Sequence, residues 1–111
     1  MKISILLPYK ENFSKDYSGA VSIFVSSTNK ISKYKNDVTI YGSTDQQKKL
    51  SSNYINIKLK KKILRSQSKE YVAKFLEIQK NANSDIIEIH NRPIYIEQLV
   101  QLKTNLVLYF H

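Results

Sequence analysis

The sequence lacks cysteine and tryptophan, and it contains only two glycines and two prolines. Without cysteine the chain can form neither disulfides nor thiolate metal sites, which fits a cytosolic protein. No apolar run approaches the roughly 18 residues that a membrane-spanning helix requires. Met1-Lys2 leads directly into a predicted strand, without the cleavage site of a secretory signal peptide. We therefore expect a cytoplasmic protein.

Acidic residues are scarce: 9 Asp and Glu stand against 18 Lys and Arg, and the net charge is +9. Such an excess favours anionic partners, namely nucleic acid, phosphorylated ligands or an acidic membrane surface. All but two of the cations are lysines, which are point charges rather than the forked groups that read bases. An AT-rich genome would also produce a chain rich in Lys, Asn and Ile. The charge alone does not decide between these explanations.

Strands and helices alternate along the chain. Predicted strands span 3–7, 37–41, 54–59, 85–90 and 105–110, and predicted helices span about 18–34, 64–79 and 95–100. This order predicts one doubly wound, Rossmann-like α/β domain over residues 1–111, with a mostly parallel sheet of about five strands and helices on both faces. The strict alternation of 54–59 indicates an edge strand. A doubly wound domain that ends on a buried strand has no helix left for that strand's far face, so we expect the front portion of a longer protein.

The first predicted helix opens at Ser18-Gly19-Ala20. Its apolar positions Val21, Phe24, Val25, Thr28 and Ile31 follow helical spacing. Glycine at a helix N-terminus lets a phosphate or carboxylate approach the free N–H groups closely. Neither G-x-G-x-x-G nor G-x-x-x-x-G-K-[ST] is present, so a standard dinucleotide or P-loop site is unsupported. Gly19 can equally be a residue that merely eases the helix start.

The segment from Asp85 to Pro93 predicts a buried strand followed at once by a helix. Its three isoleucines make the run apolar on both sides of the pleat, which is typical of a central parallel strand covered on both faces. Asn91 can cap the following helix, and Pro93 fits the first turn of that helix.

Two histidines, His90 and His111, end two of the predicted strands at the edge where open α/β sheets bind ligands. If those strands are neighbours, both imidazoles face one crevice, where they can bind a sugar hydroxyl or phosphate or act as acid or base. A purely structural role is the alternative. Arg92 can pair with a phosphate, or simply with Glu88 or Glu97. Without a suitably spaced third ligand the histidines do not form a zinc motif, and no serine or cysteine stands in a nucleophile elbow.

The densest charge run spans residues 58–65 and enters the second helix, where cations oppose the helix dipole. One interpretation is a solvated turn. The other is a membrane or anion patch, in which cations contact anionic lipid or phosphates beside apolar side chains. The cations are Lys58, Lys60, Lys61, Lys62 and Arg65, and the apolar residues are Leu59, Ile63 and Leu64. The eight tyrosines mostly occupy core-compatible positions and form no stacking platform, so nucleic acid is not the favoured partner.

Four features occur in order: a first strand that ends in Pro8, the helix opening at Ser18-Gly19-Ala20, the 85–93 segment, and Leu106-Val-Leu-Tyr-Phe-His111. In this order and with these separations, the chain resembles the start of a family 4 glycosyltransferase of the GT-B fold. The resemblance covers essentially the whole chain, and the 85–93 segment is its most specific part.

The resemblance implies the N-terminal, acceptor-side domain of a two-domain enzyme of cell-envelope polysaccharide type. Such an enzyme transfers a sugar from a nucleotide-sugar donor to a glycan or lipid-linked acceptor, retains anomeric configuration, and needs no metal or further cofactor. Docking on the inner face of the membrane through basic surface is also implied. The donor-binding cation and the E-x7-E segment belong to a C-terminal domain, so we expect this chain alone to transfer no sugar.

By position, the resemblance also suggests roles for particular residues. Gly19 matches the glycine loop near the donor diphosphate, and Ala20 stands where the family often has a second glycine. His111 matches the strand-end histidine near the transferred sugar, and His90, next to Asn91 and Arg92, matches the histidine that lines the cleft. Glu88 stands where some members have another histidine.

Other functions remain open. A freestanding α/β module that binds an anionic ligand is the main alternative; its receiver-like subtype is disfavoured because the first strand ends in Pro8-Tyr9-Lys10 rather than in an acidic cluster. A nonspecific nucleic-acid binder would show strongly salt-dependent affinity. An isolated fragment can also pair an exposed sheet edge with a second copy, giving a homodimer.

Overall fold

The computed structural model describes residues 1–60 and 66–111. These residues form an α/β fold with a five-stranded parallel sheet of order β3-β2-β1-β4-β5, so the predicted doubly wound, Rossmann-like class is confirmed. Neighbouring strands all pair in parallel. The strands are β1 Ile3–Leu6, β2 Val38–Gly42, β3 Tyr54–Asn56, β4 Ile86–His90 and β5 Asn105–Tyr109; the helices are α1 Ala20–Ile31, α2 Gln67–Ala82 and the short α3 Ile96–Leu99.

Helices cover the two faces of the sheet unequally. The helix α1 packs on one face, where Val21 and Val25 meet the side chains of β1 and β2. The helices α2 and α3 pack on the other face, where Tyr71, Phe75 and Leu99 form the second core with β1, β2 and β4. The half of the α1 face that lies over β4 and β5 is therefore less covered than the rest of the sheet.

The ends of the helices follow from local chemistry. Ser66 caps α2 by accepting a hydrogen bond from the backbone N–H of Lys69, and Asn83 ends that helix in the left-handed conformation. Pro93 occupies the first turn of a 3₁₀ segment that leads into α3, as the sequence predicts. Among the described residues no helix combines the length and the apolar character needed to cross a bilayer.

Several local predictions need correction. The strand predicted at 54–59 does lie at a sheet edge, but β3 ends at Asn56. β5 forms the opposite edge, and its residues are exposed or only half-buried, so it is not the buried strand we expected. β4 is an interior strand, yet Glu88 on its α1 face is only half-buried, because no helix covers that side fully. The start of the second helix, predicted near residue 64, lies outside the described residues.

The helix α1 is also rotated relative to the prediction. Phe24 and Ile31, which we placed on the core side, are 41% and 87% exposed, whereas Ser22 and Ser26 are buried. Part of the reason is that Ser22 donates hydrogen bonds to Glu11, in the loop after β1.

Candidate functional site

The order of the sheet strands reverses between β1 and β4: the chain runs outward from β1 to β3 in one direction, and from β4 to β5 in the other. The loops that follow β1 and β4 therefore diverge at the carboxyl edge. In open α/β sheets this divergence creates the crevice in which ligands bind. Of the predicted site residues, Gly19 ends the loop after β1, His90 ends β4, and His111 follows the neighbouring strand β5.

His90 and His111 meet at this edge. Because β4 and β5 are neighbours, the two rings lie together, with His90 Nδ1 2.9 Å from His111 Nε2 and ring centroids 5.2 Å apart. His90 is 1% exposed, whereas His111 is an exposed residue. The sequence predicted a shared position only if the two strands are neighbours. They are neighbours, and the two imidazoles lie together at the carboxyl ends of β4 and β5.

Aromatic rings hold the histidine pair in position. The ring of Tyr109 stacks on His90 at 4.9 Å with an interplanar angle of 5°. Phe24, from α1, meets His111 edge-on at 4.8 Å. Phe24 therefore packs against the histidines rather than in the core. Helical spacing alone gave no sign of this contact.

Glu88 lies below the pair on the same face of β4. Its Oε2 atom is 3.5 Å from His90 Nε2, a buried nitrogen that has no hydrogen-bond partner among the described residues. A carboxylate at this distance favours the tautomer of neutral His90 that carries its hydrogen on Nε2. Within residues 1–60 and 66–111, no three His, Cys, Asp or Glu side chains are arranged to hold a metal ion.

Asn91 does not cap the following helix, and that prediction is wrong. The residue at the cap position is Arg92, which makes no side-chain cap. Asn91 instead adopts a left-handed conformation (φ 55°), and its Oδ1 accepts a hydrogen bond of 2.7 Å from the backbone N–H of His111. The amide side chain thereby fixes the end of β5 beside β4. Arg92 is exposed, and its guanidinium donates to the carbonyl of Asn91.

The N-terminus of α1 is occupied by a carboxylate of the chain itself. Glu11 Oε2 accepts hydrogen bonds from the backbone N–H of Ser22 (3.1 Å) and from its hydroxyl (2.8 Å). Gly19 is the cap residue and Ala20 the first residue of the helix. A Cβ atom on Gly19 would collide with the Glu11 carboxylate, so glycine is required for this close approach. The predicted anion position is thus present, and an internal anion fills it.

A second concave region lies along the carboxyl ends of β1, β2 and β3. It is a cleft of about 680 Å³, and the residues that line it include Tyr9, Lys10, Asp45, Lys49 and Lys58. Sequence reasoning missed this cleft, because the loop after β2 has no periodicity and Lys10 and Lys49 are distant in the chain. The polar run after Gly42 was the available signal.

The predicted basic patch is described only in part. Lys58 and Lys60 are exposed, as a solvated or lipid-facing patch requires, while Lys61, Lys62 and Arg65 lie outside the described residues. Leu59 packs against the core beneath α2 and α3 rather than standing free for lipid.

Comparison of the chain with family models, with curated proteins and with solved structures finds no match.

Proposed function

We propose that this chain is the acceptor-side domain of a retaining, metal-independent glycosyltransferase of the GT-B type. Such an enzyme transfers a sugar from a nucleotide-sugar donor to a glycan or lipid-linked acceptor. The observation that carries the proposal is the hydrogen-bonded pair of His90 and His111 at the carboxyl edge, beside the point where the strand order reverses. The resemblance of the 85–93 segment and of the strand ending in His111 to family 4 enzymes supports it.

In this proposal His111 is the residue that contacts the transferred sugar. Its Nε2 atom is hydrogen-bonded to His90 and its backbone N–H donates to Asn91, so both the ring and the main chain of His111 are held. The remaining ring nitrogen, Nδ1, is the one available to a sugar hydroxyl. His90, which is buried, is a positioning residue that acts through His111. A ring fixed in this way loses less conformational entropy when substrate binds.

The carboxylate of Glu11 at the N-terminus of α1 affects where the donor diphosphate can bind. A donor diphosphate next to Gly19 would compete with the carboxylate of Glu11 for the N–H of Ser22. Like charges repel, so the carboxylate would have to move aside, or the diphosphate would have to bind nearer to Arg92. The exposed Lys58 and Lys60 support peripheral contact with an anionic membrane surface.

The first test is the coding sequence beyond His111. We expect the reading frame to continue into a second α/β pattern that contains E-x7-E. The product of the whole frame is then assayed with membranes and labelled nucleotide sugars. A stop codon directly after His111 would remove the enzyme proposal for this gene product.

The second test is the variant His111→Ala in that product. We expect kcat to fall by about 100-fold, because a positioned imidazole in the reaction typically contributes at least that factor. Lys103→Ala is the control, since Lys103 is exposed in the loop before β5, at the amino ends of the strands, and should leave kcat unchanged. Equal activity of the two variants would contradict the role of His111.

The alternative function is a freestanding α/β module that binds an anionic ligand. The three lysines of the second cleft favour it, because they do not depend on a second domain. If the 111-residue chain is the whole gene product, this alternative takes the place of the transferase.

A further inference from the structure

The cleft along β1, β2 and β3 is built from other residues than the histidine pair. Its walls come from the loop after β1, the loop after β2 and the segment after β3, together with the first residue of α2. Its volume of about 680 Å³ lies in the range of small-molecule sites. An inference about this cleft therefore does not depend on the proposed transfer reaction.

Positive charge predominates in the cleft. Lys10, Lys49 and Lys58 line it, against the single carboxylate of Asp45 among the described lining residues. Burial lowers the pKa of Lys49, and Asp45 partly offsets this effect. A partly desolvated ammonium group interacts more strongly with an anion than a fully hydrated one does. The chemistry of the walls thus favours an anionic group such as a phosphate.

Neutral hydrogen-bonding groups lie beside these cations. Asn56 Oδ1 accepts from the backbone N–H of Thr44, and Gln67 Oε1 accepts from the hydroxyl of Tyr9. Each amide is thereby fixed through its oxygen, which leaves its NH₂ group as a donor. Amide donors held in place suit a ligand that carries several hydroxyl groups.

The wall formed by Tyr9 and Lys10 is fixed before any ligand binds. The backbone N–H of Tyr9 donates to the hydroxyl of Tyr95, and its own hydroxyl bonds to Gln67. Lys10 adopts φ 67°, an uncommon conformation for a side chain without a polar amide. Residues in such conformations cluster at ligand sites, where the surrounding structure maintains them.

We propose that this cleft binds a sugar phosphate, with the ammonium groups of Lys10, Lys49 and Lys58 on the phosphate and the amides of Asn56 and Gln67 on the sugar hydroxyls. The charged half of the ligand provides affinity through charge-assisted hydrogen bonds. The hydroxyl half provides specificity, because amides held in this way reject a ligand that leaves them unpaired.

The proposal is tested by titrating the ¹⁵N-labelled chain with glucose 1-phosphate, inorganic phosphate and glucose, and following backbone amide shifts. We expect shifts at residues 43–47 and 56–59 with glucose 1-phosphate, and affinity at least about tenfold weaker for either half alone. Equal affinity for inorganic phosphate would overturn the sugar part of the proposal. Equal affinity for glucose would overturn the anionic part.

Charge-removing variants give the second arm. Lys10→Gln and Lys49→Gln should each weaken glucose 1-phosphate binding by about tenfold. Lys80→Gln is the matched control, since Lys80 is exposed in the last turn of α2 and makes the same change in net charge. Lys10 is included because Lys49 also donates to Gln46 O and lies over the ring of Tyr54, so its loss can alter the loop. If all three variants weakened glucose 1-phosphate binding equally, the proposed site would be wrong, because the net charge of the chain alone would then attract the ligand.

Discussion

His90 Nδ1 and His111 Nε2 lie 2.9 Å apart, so one of the two nitrogens must carry the hydrogen that joins them. Glu88 Oε2, at 3.5 Å from His90 Nε2, favours the neutral tautomer of His90 with its hydrogen on that nitrogen. With Nε2 protonated, neutral His90 accepts at Nδ1, and His111 must donate from its own Nε2. The positions of three side chains therefore define one tautomer for each ring.

We predict that long-range ¹H–¹⁵N NMR spectra show the Nε2–H tautomer for both histidines while both are neutral. Glu88→Gln should reduce this preference at His90, because it removes the negative charge and keeps the shape of the side chain. Glu97→Gln, at an exposed position on α3, is the control and should change neither ring. A Nδ1–H tautomer at His90 in the unmodified chain would contradict the assignment.

The carboxylate of Glu11 provides the cap that Gly19, without a side chain, cannot provide for α1. We predict that Glu11→Ala lowers the free energy of unfolding by about 1 kcal/mol, as loss of a helix cap typically does. Glu11→Gln keeps an acceptor oxygen and should lose less. Urea unfolding followed by circular dichroism measures both changes.

The same geometry predicts coupling between Gly19 and Glu11. Gly19→Ala should destabilise the chain by displacing the carboxylate, because the nearest atoms to the added methyl group all belong to the Glu11 side chain. In the Glu11→Ala background that collision is absent. The second substitution should then be nearly neutral, which a double-mutant cycle detects as a coupling energy of about 1 kcal/mol. Additive effects of the two substitutions would show that Gly19 is required for another reason.

How far the sequence predicted the fold depends on periodicity. The alternation of strands and helices was sufficient to predict the parallel sheet, because the spacing and the length of each apolar run distinguish a strand from a helix. Helical spacing failed for Phe24, since it assumes that the sheet covers the whole apolar side of α1. The rotation that buries Ser22 depends on Glu11, eleven residues earlier, and no local pattern records that pairing.

The candidate site was predictable only where it coincides with strand ends. His90 and His111 come at the ends of apolar strands, so their position at the carboxyl ends of the sheet strands could be predicted. Their contact could not be predicted, because it depends on the order of the strands in the sheet. Lys10 and Lys49 belong to loops, in which no periodic spacing of residues indicates which side chains lie close together. Their contribution to one cleft follows from the meeting of the loops after β1 and β2, where Lys15 N–H donates to Lys48 O.

Tyr41, Tyr54 and Tyr71 predict a loss of stability in alkaline solution. Burial raises the pKa of all three above the model-compound value of 10.0. The folded chain thus retains protons that the unfolded chain loses above pH 10, so the stabilisation is complete below that pH and declines as pH rises. The slope that each group contributes rises toward a limit of about 1.4 kcal/mol per pH unit between its unfolded-state and folded-state pKa. The lowered pKa of Lys49 acts in the opposite direction, below its own model-compound value of 10.5.

Urea midpoints between about pH 8 and about pH 11 measure this decline. Tyr71→Phe should make the decline less steep, at the expense of the hydrogen bond that the Tyr71 hydroxyl donates to Leu7 O. Tyr17→Phe, at a ring that is 67% exposed, is the control and should leave the slope unchanged. A flat profile above pH 10 for the unmodified chain would contradict the burial of these phenols.

The edge strand β5 predicts self-association of the 111-residue chain. Tyr109 O accepts from Asn91 N–H, so the peptide groups of Tyr109 point toward β4 and those of Leu108 point outward. The strand contains neither charge nor proline, the usual features that prevent edge pairing. Val107 is 38% exposed and Phe110 74% exposed beside it. We predict a dimer in which β5 pairs with its copy around a two-fold axis, which covers the β5 edge of both sheets.

Sedimentation velocity over a range of protein concentrations measures this association. Val107→Lys should make the chain monomeric, because it places a charge on the edge strand. Ile94→Lys is the matched control: Ile94 is 62% exposed in the 3₁₀ segment, and the variant adds the same charge away from β5. Net repulsion between copies of a chain of charge +9 increases equally in both variants. Dissociation by Val107→Lys alone therefore identifies β5 as the contact, whereas dissociation by both variants would assign the effect to net charge and contradict the edge pairing.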